Sequence, residues 1–480
     1  MTDTKPLAGS APPPGGAAST APFWILAAAL FGLSAFFLIR PALADLPYYR
    51  PRPPGTSDDY WWLLLAAFVP YAVALGAIRR GMRVPMPVLL GGAAVLYAML
   101  IPAPALQSQD VYQYLLFGKM SAAGINPYEV LARSIQDPWR AYTLWDGLVS
   151  TYGPLWVLLC EGVVRVSGQN LTAAFLLLKT LVAGSAVAAT YGLSRAAGRG
   201  PGLEPSPGFA VVAFAYNPMV LFAAGLGGRE DMVMAALFAG AIVAERRGRD
   251  LGVTLLLSAA ALMKAYAGIV LIPWGIVLWR RHGPGVALRH TLLSAGVAAL
   301  AYARYWHGVD TLAGITDIAG FASASLVGSI VRLASDNVGN SFVGTSALLT
   351  AAQVLGTACL LATLWAIARS PRTTTEPWRA GALLFAVFVL VTPWWLYWNL
   401  VVLVALVAIV RDRALQWAVL AFSATSLIVI TWPAPTTGSG TADLVLQTIL
   451  RYAPPLVLGG LALRSRQPDP APALDPAPSP

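Results

Sequence analysis

The topology turns on the stretch Pro154-Leu-Trp-Val-Leu-Leu-Cys-Glu-Gly-Val-Val-Arg-Val-Ser-Gly168. It is apolar enough to resemble a membrane span, with Arg165 near its end. Its surroundings decide how it is read. Of 480 residues, 57% are hydrophobic and 11% charged, less than half of the roughly 25% charge of a soluble chain. Apolar windows fall near 22–40, 60–78, 85–104, 170–194, 207–224, 231–245, 251–265, 266–280, 286–306, 342–369, 378–393, 396–410, 414–432 and 443–463, separated by short arginine-rich or Pro/Gly turns. Only helices satisfy the backbone of such windows in lipid.

If 154–168 crossed the membrane, every later basic loop would fall outside. Laid along the outer interface, it lets the loops of Arg79, Arg195, Arg246, Arg280, Arg369, Arg411 and Arg464 all face the cytoplasm. The expected fold is therefore an all-α polytopic membrane protein of about 12–14 transmembrane helices, with interfacial helices in a large first outer loop. Residues 1–21 and 467–480, rich in Ala, Pro and small polar residues, read as disordered tails. Between them, 22–466 form the membrane domain, with outer loops at 105–169 and 307–341. Ala42-Leu43-Ala44 resembles a signal-peptidase site, but the long, poorly basic tail before it and the polytopic remainder favour an uncleaved first helix.

Several chemistries are disfavoured. The formal charge of +10 is carried by arginines in short loops between spans, where membrane orientation explains it without nucleic acid. Cys160 and Cys359 form neither a disulfide framework nor a zinc spacing, and His282, His290 and His307 match no metal motif. There is no nucleotide-binding glycine loop and no Gly-x-Ser-x-Gly. No carboxylate cluster calls for a metal, so no resident cofactor is expected, although a divalent cation is left open.

What stands out is polar material collecting on one side. Asp110 follows a long apolar run and opens the 105–169 excursion. A carboxylate where a membrane helix meets water is a functional candidate, although Asp also serves as a helix N-cap. Tyr114, four residues on, shares its helical face. Lys119 is either an interfacial snorkel or a ligand cation. Asn126-Pro127-Tyr128 and Tyr152-Gly153-Pro154 pair turn residues with tyrosine, and Pro154 suits the first turn of a helix. Further on, Asn217-Pro218 interrupts an apolar span, and Gly227-Gly228-Arg229-Glu230-Asp231 forms a tight outer turn. Arg229 has the geometry for phosphate, whereas the two acids also suit a helix N-terminus. Lys264 lies between apolar runs too short to span comfortably unless they turn there, which places it at the outer surface. Trp394-Trp395-Leu396-Tyr397-Trp398 reads as a membrane-interface anchor, with Asn399 beside it as a cavity residue. The 307–341 loop, with Asp317, Arg332, Asp336 and Asn337, is long enough to cover a site.

The run Asp110-Val-Tyr112-Gln-Tyr114, then Gly118, Gly124-Ile-Asn126-Pro127-Tyr128 and Tyr152-Gly153-Pro154-Leu155, resembles the first outer loop of bacterial GT-C membrane glycosyltransferases. Within these it is most similar to the polyprenyl-phosphate-mannose-dependent α-mannosyltransferases of actinobacterial envelope synthesis. The likeness covers roughly residues 85–280 and fades to general hydropathy in the last third. The family turn often reads His-Asn-Asp where this chain has Arg229-Glu230-Asp231. A proline tends to follow the family's lysine, where Ala265-Tyr266 stand here.

The resemblance implies a GT-C-like bundle in the cell membrane, with its active site on the extracytoplasmic side. It implies inverting transfer of mannose or another hexose from a polyprenyl-phosphate donor to an envelope glycan or glycolipid acceptor, with Asp110 as base. Tyr112, Tyr114, Lys119, Asn126, Tyr128, Tyr152, Arg229, Glu230, Asp231 and Lys264 become the expected substrate-binding residues. One base is chemically sufficient, because a polyprenyl phosphate leaves as a stable anion and needs no second carboxylic acid to protonate it. A polytopic lipid-linked-sugar transporter or flippase is the alternative, since intramembrane Lys and Asp also fit a transport path, although no internal repeat is visible. A non-catalytic partner of an envelope-synthesis complex would not need this outer cluster.

Overall fold

A computed structural model describes residues 19–43, 61–105, 109–168, 170–198, 202–204, 206–318, 320–323, 325–335, 346–428 and 440–464. The first helices are α1 (Ala21–Leu43), α2 (Trp61–Arg79), α3 (Met86–Leu100), α4 (Asp110–Ala122), α5 (Pro154–Val166), α6 (Leu171–Ala196) and α7 (Pro207–Ala215). Then come α8 (Asp231–Arg246), α9 (Asp250–Ala261), α10 (Leu271–His282), α11 (Pro284–Tyr302), α12 (Ala313–Ile318) and α13 (Leu326–Ala334). The chain continues through α14 (Ala347–Arg369), α15 (Arg372–Thr375), α16 (Pro377–Val391), α17 (Leu400–Ile409), α18 (Arg413–Thr425) and α19 (Gly440–Arg464). Among the described residues there is no sheet, only an isolated antiparallel bridge between Leu203 and Val410. Among the described residues five helices, α1, α2, α6, α14 and α19, are long and apolar enough to cross a membrane. Shorter apolar helices fill the space between them. The molecule is a polytopic helical bundle, as the hydropathy windows predict. Both predicted tails lie almost wholly outside the described residues.

Local chemistry sets the helix starts. Asn170, Ser206, Ser346 and Asp412 accept backbone N–H bonds at 3.0–3.2 Å at the heads of α6, α7, α14 and α18. Proline occupies the first turn of α5, α7, α11 and α16, where its missing N–H has no partner to lose. The 207–224 window is not one span. After α7 the chain breaks at Asn217 and resumes as a π-helical segment, Met219–Leu226. Asn217 mends the break by accepting from Met219 N at 3.0 Å and donating to Tyr71 and Ser423 hydroxyls at 3.2 and 2.9 Å.

Packing runs from an apolar centre to a lipid-like rim. Every residue of α17 is buried, and it touches α7, α8, α16 and α18, as befits a helix that is hydrophobic all round. By contrast α14 buries little more than Leu349, Gly356 and Ile367. The short helix α5 packs on α4 and α6, and its 13 residues rise only about 20 Å. The 307–341 stretch, expected as a loop, contains α12 and α13. Its Asp336 and Asn337 lie outside the described residues.

Two ends of the bundle differ in chemistry. At one, Arg79 pairs with Glu204 at 3.2 Å and Arg379 with Asp412 at 2.8 Å, near the tails of α2 and α17 and the heads of α16 and α18. At the other, the heads of α4, α8 and α17 and the tail of α16 converge on the polar cluster described next.

Candidate active site

Asp110 is not a helix cap. Gln109 holds that position, without a side-chain cap bond, and Asp110 is the first residue of α4. Its carboxylate turns sideways instead. Oδ2 accepts from Nη1 of the fully buried Arg229, and Oδ1 accepts from Trp145 Nε1 at 3.2 Å. Arg229 also donates to the Tyr114 hydroxyl at 3.2 Å, and its guanidinium lies 3.5 Å from the centre of the Trp398 ring. A cation on an indole face, shielded from water, is favourable.

The turn that presents Arg229 is shaped by its neighbours. Gly228 has φ +64°, a conformation open to glycine at little steric cost. Lys179, buried within α6, donates to Leu226 O at 2.6 Å and reaches Ala103 O at 3.4 Å, so an ammonium caps the C-terminal carbonyl of the π-helical segment. Past Arg229, Glu230 pairs with Lys264 at 2.6 Å, and Asp231 accepts from the Tyr266 hydroxyl. Tyr266 thereby anchors the acidic turn.

Lys264 sits between α9 and the short 3-10 helix Ala265–Val270 that leads into α10. Burial alone would push its pKa down, but Glu230 and Asp231 outweigh burial and hold it above the ordinary lysine value. The lysine turn is sewn to the first loop. Gly153 N donates to Met263 O at 2.8 Å and Leu155 N to Leu262 O at 3.1 Å. A Cβ on Gly153 would overlap the Leu262 carbonyl.

These groups border a cavity of about 750 Å³. Asp110, Gln113 and Phe117 of α4 contribute to its wall, with Trp145, Tyr152, Lys264 and Tyr266 from the loops and turns. Ile315, Ile318 and Phe321, from the second loop, close over it, and Phe321 packs on Trp394 at 5.1 Å and Trp145 at 6.4 Å. On the far side the wall is α14 and α16, through Gln353, Gly356, Thr357, Leu360, Phe388 and Val391. Among the described residues no three His, Cys, Asp or Glu side chains are placed to hold a metal.

The structure brings some predicted site residues together and not others. Asp110, Tyr152 and Lys264 line the cavity, and Tyr114, Arg229, Glu230 and Asp231 stand behind that wall. Arg229, expected on a phosphate, instead grips Asp110. Four residues point elsewhere. Tyr112, two residues past Asp110 and so off its helical face, stacks on Phe175 at 5.7 Å. Lys119 pairs with Asp137 at 2.7 Å and lies over Trp139 at 4.3 Å, so it is neither a free snorkel nor a cavity cation. Asn126 donates to Tyr305 O at 2.9 Å, and Tyr128 donates to Tyr152 O at 2.8 Å. Both shape the loop.

Trp395 and Trp398 are buried, which corrects their reading as membrane anchors. Other residues at the cavity or its ion pairs were not singled out from the sequence. Trp145, Tyr266, Gln113 and Lys179 carry no motif.

Part of the chain is similar to known proteins. Residues 60–281 match the family model described as Alpha-(1->6)-mannopyranosyltransferase, N-terminal domain. The chain is 27% identical over 179 residues to Alpha-(1->6)-mannopyranosyltransferase A of Mycobacterium tuberculosis, covering 36% of this chain and 34% of that protein. It is 29% identical over 197 residues to the Corynebacterium glutamicum protein of the same name, covering 40% and 39%. The matches thus span little more than a third of these relatives' length. No solved structure matches the chain.

Proposed function

We propose that the protein is an inverting GT-C-type glycosyltransferase. It moves mannose or another hexose from a polyprenyl-phosphate donor to an envelope glycan or glycolipid acceptor, at the outer face of the cell membrane. The observation that carries this reading is the meeting of the Asp110 carboxylate and the Lys264 ammonium on one amphipathic cavity. The two residues are far apart in sequence, and the cavity runs on to an apolar wall formed by α14 and α16. The relatives' names supply the mannosyl group.

The wall is sorted by chemistry. Lys264 offers positive charge to a phosphate. Leu360, Phe388 and Val391 suit a hydrocarbon chain. On α14 the cavity-lining residues Gln353, Gly356, Thr357 and Leu360 follow i, i+3, i+4, i+7 spacing, while Val354, Leu355 and Leu361 are exposed on the other face. One helix therefore separates the cavity from the lipid-like rim.

In the proposed step the acceptor hydroxyl oxygen attacks the anomeric carbon from the face opposite the phosphate. The bond from that carbon to the phosphate oxygen breaks with its electron pair, and Asp110 takes the hydroxyl proton. Arg229 aims the carboxylate, which takes the proton as the hydroxyl acidifies late in the reaction. Lys264 opposes the charge growing on the departing phosphate, and Trp145 orients Oδ1.

The test is transfer by purified protein from polyprenyl-phosphate mannose, with the product's anomeric configuration read by NMR. The expected result is inversion, with Asp110→Asn reducing turnover by about 10³-fold or more at unchanged membrane abundance. Near-wild-type turnover in Asp110→Asn would remove the base assignment, and retention of configuration would remove the single-displacement step.

A further inference from the structure

Two amides on the cavity wall have hydrogen-bonding capacity that the protein leaves unused. Gln113 is almost wholly buried, and neither its Nε2 nor its Oε1 has a hydrogen-bond partner; Oδ1 of Asn399 also lacks one. Both residues line the cavity. They also flank the same ion pair. Gln113 lies one helical turn after Asp110 on α4, and Asn399 follows Trp398, whose ring carries the Arg229 guanidinium that grips Asp110.

A buried amide without partners is unfavourable, so the position is explained best by a ligand that completes it. The donor's three parts differ in what they offer. A phosphate only accepts hydrogen bonds and matches Lys264. A hydrocarbon chain offers none and matches α14 and α16. A hexose hydroxyl both donates and accepts, as an amide does.

We infer that Gln113 and Asn399 form a hydroxyl-reading subsite, in which the two amides bond hydroxyls of a hexose held beside Asp110 and so set which sugar is transferred or accepted. This rests on the glycosyltransferase reading above. Their role is recognition: neither moves a proton nor takes part in bond exchange. The hydroxyls can belong to the donor sugar or to the acceptor, so both are tested.

The experiment measures kcat/KM of the wild type, Gln113→Met and Asn399→Leu. Each is assayed with polyprenyl-phosphate mannose, its monodeoxy analogues, and monodeoxy acceptors. In the wild type, removing the hydroxyl that is read should lower kcat/KM by roughly 10- to 100-fold. Each variant should show a comparable loss with the parent substrates and no further loss with its matched deoxy compound. Non-additive losses with deoxy donors assign the subsite to the donor, and with deoxy acceptors to the acceptor.

If the wild type transfers well but discriminates against no deoxy compound, the subsite is overturned while the enzyme reading stands. Fully additive losses overturn the subsite in the same way, and the wild-type series decides even where a variant fails to fold. Absence of transfer by the wild type overturns both.

Discussion

At the scale of single residues, charge neutralisation governs the site. Lys264 would be costly to pack without a partner, and Glu230, 2.6 Å away, provides one. Since its folded pKa lies above the ordinary lysine value, the pair's contribution to stability is fully present below the unfolded pKa. It is lost as pH rises through the folded value. The thermal midpoint in detergent should therefore show no Lys264-dependent change around neutral pH, and an alkaline fall that Lys264→Met lacks. Lys264→Met should itself destabilise by about 3–5 kcal/mol, the usual cost of orphaning a buried charge. A drop near neutral pH that this substitution abolishes would contradict the assignment. Asp110 was legible as an acid out of place, and Lys264 as a base out of place. That Arg229 would serve Asp110 was not legible, because an arginine with fork geometry suits a carboxylate as well as a phosphate.

Between elements, close backbone contact holds the lysine turn to the first loop. Gly153 rests on the Leu262 carbonyl, and two backbone bonds join the same strips. Gly153→Ala must push these strips apart, so we expect a loss of about 1–3 kcal/mol in stability and a fall in transfer. Gly162→Ala on α5 has open space around it and should be neutral or slightly stabilising. Comparing the two thermal midpoints checks this, and equal shifts would refute the contact. The predicted windows match most helices within a few residues, because length and apolarity dominate in lipid. The exceptions are informative. The span at 207–224 breaks because the Asn217 side chain can satisfy a broken backbone, and hydropathy averages cannot register one amide. The tryptophans at 395 and 398 were misread because an aromatic belt and a buried aromatic wall have the same composition.

For the molecule as a whole, the proposed orientation rests on the basic loops, and it can be checked directly. In a background without Cys160 and Cys359, Val309→Cys should react with a membrane-impermeant thiol reagent in intact cells. Arg247→Cys should react only after the membrane is opened. The reverse pattern would move the site to the cytoplasm. Val309 is well exposed, at 78%, so failure to label would not reflect burial. The contact of Arg229 with Trp398 has a larger consequence. Trp398 lies outside the segment 60–281 that matches the family model, yet its ring supports the guanidinium that aims Asp110. The chain therefore does not divide into a chemical half and a scaffolding half. A chimera that joins residues 1–281 to the tail of another protein would inherit Asp110 and Arg229 without the surface beneath them. Grafting the indole back should restore more activity than grafting any outer loop.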